Sequence, residues 1–408
     1  MSPPSHQMRK PLLRIPFTDA LPSPTTIPST AHSPPGAVAA LHNFFTSPPP
    51  KGLSPATVVL SGAGLSVASG LADYRGTNGT YRVNKTYRPI YYHEFLASHE
   101  ARKRYWARSF LGWTSLHNAK PNTGHHAVRH LGQLGLVSSV VTQNVDSFHP
   151  KAHPELPTLE LHGYLRSTVC TSCWNEFPRD SFQDELARLN PVWAVFLKEA
   201  VASGALATED PAEKRARGIR MNPDGDVELP EAPYTTFRYP ACPHCLASPP
   251  TLADGSRGRV EVDHDGAWDP SNSAGILKPA VVMFGESISH KVKQTAEEAI
   301  DNAGRLLVLA TSLATYSAWR LAKRAKERGM PIAIVNIGGV RGEDIFFSDL
   351  DPQQVGAEGV RVELSTESLL PTLVEELRRS QTPGTSALPG PAVSLRQGDA
   401  AVFKDMLS

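Results

Sequence analysis

Short apolar, largely β-branched runs alternate along this chain with stretches whose apolar residues recur every three or four positions. The runs lie at 58–60, 137–142, 159–161, 280–284, 306–310 and 332–335, and each reads as a buried strand. The three-to-four period predicts helices over 36–46, 91–113, 122–134 and 181–189. A further helix between the last two strands puts Ala318, Leu321, Ala322 and Ala325 on one face, and a final one does the same with Leu370, Leu373, Val374 and Leu377. Strands alternating with helices predict an α/β fold: a doubly wound, mostly parallel Rossmann-like sheet covered on both faces. The segment 91–113 reads as an amphipathic helix with solvated arginines. Residues 76–89 show no period and read as a mobile loop.

The alternation is broken between residues 165 and 273, and the four cysteines of the chain all fall there. Cys170 and Cys173 form one C-x-x-C pair, Cys242 and Cys245 the other. Four thiolates in two such pairs suit tetrahedral zinc, with no position left open, so the metal would be structural and one per chain. Redox chemistry or disulfides are the competing reading. His244, inside the second pair, reads as a bystander. The Pro- and Gly-containing stretch around 222–226 reads as surface insertion more than core. The expected organisation is one Rossmann-like domain over 37–164 and 274–380, split by a small zinc module with an insertion over 165–273.

Charge and composition narrow the classes of function. Lys+Arg 41 against Asp+Glu 40 gives a net charge of +1, so no global field favours nucleic acid or an anionic membrane. No apolar run approaches the roughly 20 residues a membrane helix needs. Residues 1–36 are rich in Pro, Ser and Thr and carry Arg9, Lys10 and Arg14 against Asp19 alone. Such a stretch is expected to be disordered. Being basic and acid-poor, it fits a mitochondrial presequence; the alternative is an ordinary tail, because its prolines interrupt the amphipathic helix import prefers. Residues 381–408 read as a second disordered tail.

Candidate chemistry collects at strand ends. After the first strand, Gly62-Ala63-Gly64 permits a tight turn and close approach of a ligand, and a helix start there would face a phosphate. The pattern is G-x-G-x-S, not G-x-G-x-x-G, and many strand-to-helix turns are merely glycine-rich. Gln143, Asn144 and Asp146 end the next strand, where ligands sit in open α/β sheets, or else they cap the helix that follows. His162 has the side chain best suited to a general base near neutrality, although a lone histidine is more often structural. Phe284-Gly285-Glu286 lines a groove or forms a turn. Thr311-Ser312 and Asn336-Ile337-Gly338 stand where ribose and phosphate contacts are expected.

Taken together and in this order, these elements resemble the sirtuin family of NAD-dependent protein-lysine deacylases. The resemblance covers about residues 41–376 and is carried by GAGLSVASGLADYR (62–75), TQNVDSFH (142–149), LHG (161–163), both cysteine pairs, KPAVVMFGE (278–286), ATSL (310–313) and VNIG (335–338). Within the family it is most similar to class II, the mitochondrial branch, through Tyr74, RPI (88–90), RYWARSFLGW (104–113), NPVW (190–193) and PDGDVEL (223–229). The resemblance implies NAD as a co-substrate that accepts no hydride. Gly62, Ala63 and Gly64 would cradle the pyrophosphate, with Asp73, Tyr74 and Arg75 nearby. Gln143 and Asn144 would hold the nicotinamide ribose, and Asp146 the carboxamide. The acyl oxygen of an acylated lysine would attack the ribose carbon, and His162 would act as base for a ribose hydroxyl. Thr311, Ser312, Asn336, Ile337 and Gly338 would bind the adenosine half. Val282 and Phe284 would line the acyl-lysine tunnel, with Gly285 and Glu286 pairing with substrate backbone.

The chain departs from the family pattern at Ala72, Tyr74, Phe148 and Ala310, and none of these removes a chemical group. Protein mono-ADP-ribosyl transfer, an NAD-sensing binding protein and, on the glycine turn alone, a hydride-transferring dehydrogenase are the other readings. The expected partners are acylated lysines on proteins and NAD, with no direct nucleic-acid contact and no membrane insertion. The expected state is a monomer, and the expected place the mitochondrial matrix, with cytoplasm or nucleus as alternatives.

Overall fold

The computed structural model describes residues 20–84, 87–204, 220–229, 231–351 and 354–381. In chain order its strands are β1 (Thr57–Ser61), β2 (Val137–Thr142), β3 (Thr158–Glu160), β4 (Gly163–Cys170), β5 (Glu176–Pro178), β6 (Arg220–Met221), β7 (Val227–Glu228), β8 (Leu277–Val281), β9 (Arg305–Leu309), β10 (Ile332–Val335) and β11 (Gly359–Val362). Six of them form a sheet in the order β11-β10-β9-β1-β2-β3. Every pairing in it is parallel. The apolar runs that identified β1, β9 and β10 are buried along their whole length, because helices cover both faces. Helices Pro34–Thr46, Thr123–Gln133 and Thr366–Ser380 pack on one face. Helices His290–Asp301 and Tyr316–Glu327 pack on the other. Ala318, Leu321, Ala322 and Ala325 all face that second core, as the periodicity predicts.

The strand order positions the site. From β1 the chain moves outward through β2 and β3, then returns to place β9 on the other side of β1. The connections out of β1 and β9 therefore leave in opposite directions. The resulting crevice lies at the carboxyl ends of these strands, where an open α/β sheet binds its ligand.

Several expectations need correction. The strand expected at 280–284 is β8, Leu277–Val281, and it belongs to a separate sheet of order β5-β4-β8, antiparallel to β4. Its fully buried Lys278 hides its start from a hydropathy reading. The arginines expected to be solvated on 91–113 are in part the opposite. On the helix His99–Asn118, Arg102 and Arg108 are buried. Arg102 donates to Tyr239 Oη and to the Phe95 and Leu96 carbonyls, and Arg108 pairs with Asp226. The stretch 222–226 is not surface decoration: Asn222 and Asp226 are buried, and β6 and β7 form the hairpin around them. Residues 76–89 hold a helical turn, Thr80–Val83, and are not wholly loop.

The disordered segment expected over 1–36 is corrected for its described part. Residues 20–36 are ordered: Ala31 is fully buried, and Ile27 pairs by backbone with Arg361 on β11. Residues 1–19 and 382–408, to which the presequence and the C-terminal tail extend, lie outside the described residues. Strand β11 has no counterpart in the sequence reading, because its central Arg361 interrupts the apolar run; the side chain is buried against Glu343.

Candidate active site

A cleft of about 1040 Å³ opens at the carboxyl ends of β1, β2, β9 and β10. Every residue expected to contact dinucleotide or substrate lines it: Gly62, Ala63, Gly64, Asp73, Tyr74, Arg75, Gln143, Asn144, Asp146, His162, Val282, Phe284, Gly285, Glu286, Thr311, Ser312, Asn336, Ile337 and Gly338. They come from segments more than 270 residues apart in sequence, joined by the sheet alone.

The glycine turn leads into a seven-residue 3-10 helix, Ala63–Ser69, at the helix start expected there. Gly70, in the left-handed region at φ 83°, ends it. The Gly62 and Gly64 amides are not left over for an anion, because they donate to the carbonyls of Leu309 and Ala310. The glycines are needed for another reason. A Cβ at Gly62 would lie 2.5 Å from the Thr311 side chain, and one at Gly64 would lie 2.9 Å from the Ala310 carbonyl. Two loops thus meet backbone to backbone across the crevice. Ala310, where the family pattern has glycine, sits in the left-handed region at φ 50°.

Polar groups at the end of β2 interlock with this turn. Asn144 Nδ2 donates to the Gly62 carbonyl at 3.1 Å and to Ser66 Oγ at 3.2 Å. Its Oδ1 is buried without a hydrogen-bond partner, an acceptor a bound ligand can satisfy. Asp146 accepts from Ser66 Oγ at 2.6 Å and from the Phe148 amide at 2.9 Å. Burial nevertheless pushes its carboxyl above the usual range. Gln143 Nε2 donates to Thr311 Oγ1 at 2.9 Å, while its Oε1 accepts from Thr315 Oγ1 at 2.9 Å. Behind the turn, His149 bridges Ser61 Oγ and His153 at 2.8 Å each. Burial holds these histidines below the ordinary value, His153 at about 4.

His162 follows β3. Its Nδ1 lies 3.1 Å from the Gln143 carbonyl and its Nε2 lies 2.8 Å from Ser317 Oγ. A carbonyl only accepts, so Nδ1 carries the proton and Nε2 is the basic nitrogen, with the Ser317 hydroxyl donating to it. Withdrawal from water lowers the imidazole to about 4. It is neutral at pH 7.

The wall of the cleft expected to meet substrate is built from the β8 exit. The Val282 amide donates to the His162 carbonyl at 2.8 Å, and the Tyr92 amide donates to the Phe284 carbonyl at 2.9 Å. Glu286 points inward: it accepts from the Met283 amide at 2.8 Å and meets buried Lys278 at 3.3 Å. Its carboxylate therefore braces the loop. Tyr74 stands edge-on to Phe284, with ring centroids 6.2 Å apart, and donates to Asp224 Oδ1 at 2.6 Å. Asp224 comes from the β6–β7 hairpin, and burial raises it to about 6. Ser66, Ser317 and Asp224 are site residues that the sequence reading misses. Ser66 lay inside one recognised motif and Asp224 inside another, PDGDVEL (223–229), whereas nothing local marks Ser317.

The four cysteines converge in the small lobe, all Sγ atoms within 4.8 Å of one another and none in a disulfide. The contacts Cys170–Cys245 and Cys173–Cys242 are 3.6 Å each. Tetrahedral Zn–S bonds of about 2.3 Å place sulfurs roughly 3.8 Å apart, so the cluster fits one zinc ion. Amides of Ser172 and Cys245 and Asn175 Nδ2 point at the sulfurs, as thiolate ligands require. His244 is exposed beside them.

Comparison with known proteins shows the family. The Sir2 family model matches residues 62–317. The chain is 37% identical over 329 residues to "NAD-dependent protein deacylase SIR4" of Batrachochytrium dendrobatidis, covering 79% of this chain and 90% of that one. It is 32% identical over 325 residues to "NAD-dependent protein lipoamidase sirtuin-4, mitochondrial" of Bos taurus, covering 80% and 85%. Among solved structures, a chain reported under the words "Structural Basis for the Mechanism and Regulation of Sir2 Enzymes" shares the fold, with a TM-score of 0.51 at 22% identity over 84% of this chain and 98% of that one. A Rossmann-like sheet, a four-cysteine lobe beside it and a match over most of the chain make one conclusion: this protein belongs to the Sir2, or sirtuin, family.

Proposed function

We propose that this chain is an NAD-dependent protein-lysine deacylase that transfers the acyl group to ADP-ribose and releases nicotinamide. The observation that carries the reading is His162, neutral and held by the Gln143 carbonyl, in the same cleft as Asn144 and Asp146. When bound, the dinucleotide supplies a ribose carbon that accepts the acyl oxygen as nicotinamide departs. The protein's part is positioning and proton transfer. Asn144 Oδ1 offers an unmatched acceptor beside the glycine turn, and Asp146 is braced by Ser66 to accept from an amide. His162 takes a proton at Nε2, and the Gln143 carbonyl stabilises the resulting imidazolium through Nδ1–H. Val282 and Phe284 guide the acyl-lysine chain toward that nitrogen. A structural zinc ion held by Cys170, Cys173, Cys242 and Cys245 would supply rigidity to the lobe that forms the far wall.

A panel of acetyl-, glutaryl-, lipoyl- and long-chain acyl-lysine peptides with NAD tests this. Nicotinamide release with free lysine and acyl-ADP-ribose is the expected result. Label from NAD retained covalently on protein would instead mark mono-ADP-ribosyl transfer. We further propose a monomer acting in the mitochondrial matrix. The basic, acid-poor start of the chain and the mitochondrial sirtuin-4 relative support that address. Light scattering, and fractionation of cells expressing the full chain, test the two statements.

A further inference from the structure

We infer that residues 21–27 form a strap that completes the adenosine end of the cleft, with Leu21 as a cofactor-positioning residue. The inference rests on the reading above, which puts the adenosine half of NAD beside Asn336, Ile337 and Gly338. Leu21 lines the cleft together with Asn336, Gly338 and Gly339, although it lies 315 residues before Asn336 in the chain.

Three contacts hold the strap there. The Ile27 amide donates to the Arg361 carbonyl at 3.0 Å, and the Arg361 amide donates back to the Ile27 carbonyl at 2.7 Å. The Thr25 amide donates to the Glu343 carboxylate, which also receives Arg361 Nε at 3.2 Å. The third contact is steric. Gly339 carries no Cβ, and one built there would lie 2.0 Å from the Pro22 carbonyl oxygen and 3.0 Å from the Leu21 Cβ. The strap therefore rests directly on the loop that follows β10, and only a glycine leaves room for it.

The same hub fixes the loop beneath. Arg361 Nη1 donates to the Asn336 carbonyl at 2.8 Å, and Nη2 donates to the Gly338 carbonyl at 2.6 Å. One buried guanidinium thus orients the backbone expected to meet adenosine, while its own backbone anchors the strap that covers it. Leu21 is only half-buried without a ligand. Burying the rest of its apolar surface against a nucleoside favours the bound state.

The test measures binding, not turnover. Calorimetric titration of the full-length protein with ADP-ribose compares wild type with Leu21→Ala, Leu21→Met and Gly339→Ala. Partial loss of one leucine contact predicts a Kd raised about three- to tenfold in Leu21→Ala, and Leu21→Met, which keeps the volume, stays near wild type. Gly339→Ala, which displaces the strap without altering it, weakens ADP-ribose to a similar degree. Affinity for acyl-lysine peptide stays unchanged in all three. An ADP-ribose Kd within twofold of wild type in both Leu21→Ala and Gly339→Ala overturns the strap. Wild-type protein that ignores ADP-ribose overturns the function reading itself, and the strap with it. An unchanged melting temperature without ligand separates lost binding from lost folding.

Discussion

Changing His162 to alanine is the most direct challenge to the site as described. In the folded protein this imidazole stands at about 4, against 6.5 for an ordinary histidine. That difference corresponds to about 3 kcal/mol opposing its protonation. The cause is withdrawal from water, which the Gln143 carbonyl only partly offsets. At pH 7 the side chain is then neutral in all but about one molecule in a thousand, ready to accept a proton. The base must be neutral to act, so kcat/KM for peptide deacylation stays level from pH 8 to about 5 and falls tenfold per unit once below about 4. An imidazole open to water would instead halve the rate near 6.5. His162→Ala should lower turnover by about 10² to 10⁴ while leaving ADP-ribose affinity intact. Ser317→Ala removes the hydroxyl donating to Nε2 and should move the acid limb upward. The assay is nicotinamide release across pH, with circular dichroism at each point. That control matters, because a depressed histidine contributes stability that is present above 6.5 and lost as pH falls toward its folded value. Buried His125, at about 3, and His153, at about 4, add to the same loss. An acid limb centred near 6.5 with the fold intact, or near-normal turnover in His162→Ala, would refute the assignment.

Three further outcomes follow from the packing. Chelation should loosen the small lobe, and freshly purified protein should carry one zinc per chain by elemental analysis; a content far below one rules the site out. Arg108→Met strands Asp226 in a buried site and should cost about 3–5 kcal/mol in urea unfolding, whereas the double change with Asp226→Leu recovers most of it. Equal losses in the single and double variants would deny the pair its role. Ala310→Gly relieves a left-handed alanine and should raise stability by up to about 1 kcal/mol, read as a higher melting temperature. A lower one would show that the methyl packs usefully beside Gly64.

The chain by itself determined the elements whose signal is local. β1, β2, β9 and β10 are runs of apolar side chains buried on both faces, and such runs are visible without a partner. The two cysteine pairs announce a metal because the spacing within each pair already presets half of one ion's coordination sphere. The glycine turn, the TQNVD cluster and His162 were legible because a strand end in a doubly wound sheet is a fixed place for chemistry. What only the tertiary structure decided are contacts whose two halves are remote and individually unremarkable. Arg361 and Lys278 interrupt apolar runs, the first hiding β11 and the second the start of β8, and only folding brings Glu343 and Glu286 against them. Ser317 carries no mark in the sequence, and Asp224 lies in a stretch that reads as surface insertion, yet folding sets one on the imidazole and the other on Tyr74. Residues 21–27, too polar and proline-rich to order themselves, gain their structure from the edge of a sheet completed more than 330 residues later. Local pattern reports what a segment buries; only the fold reports which charge or carbonyl waits for it there.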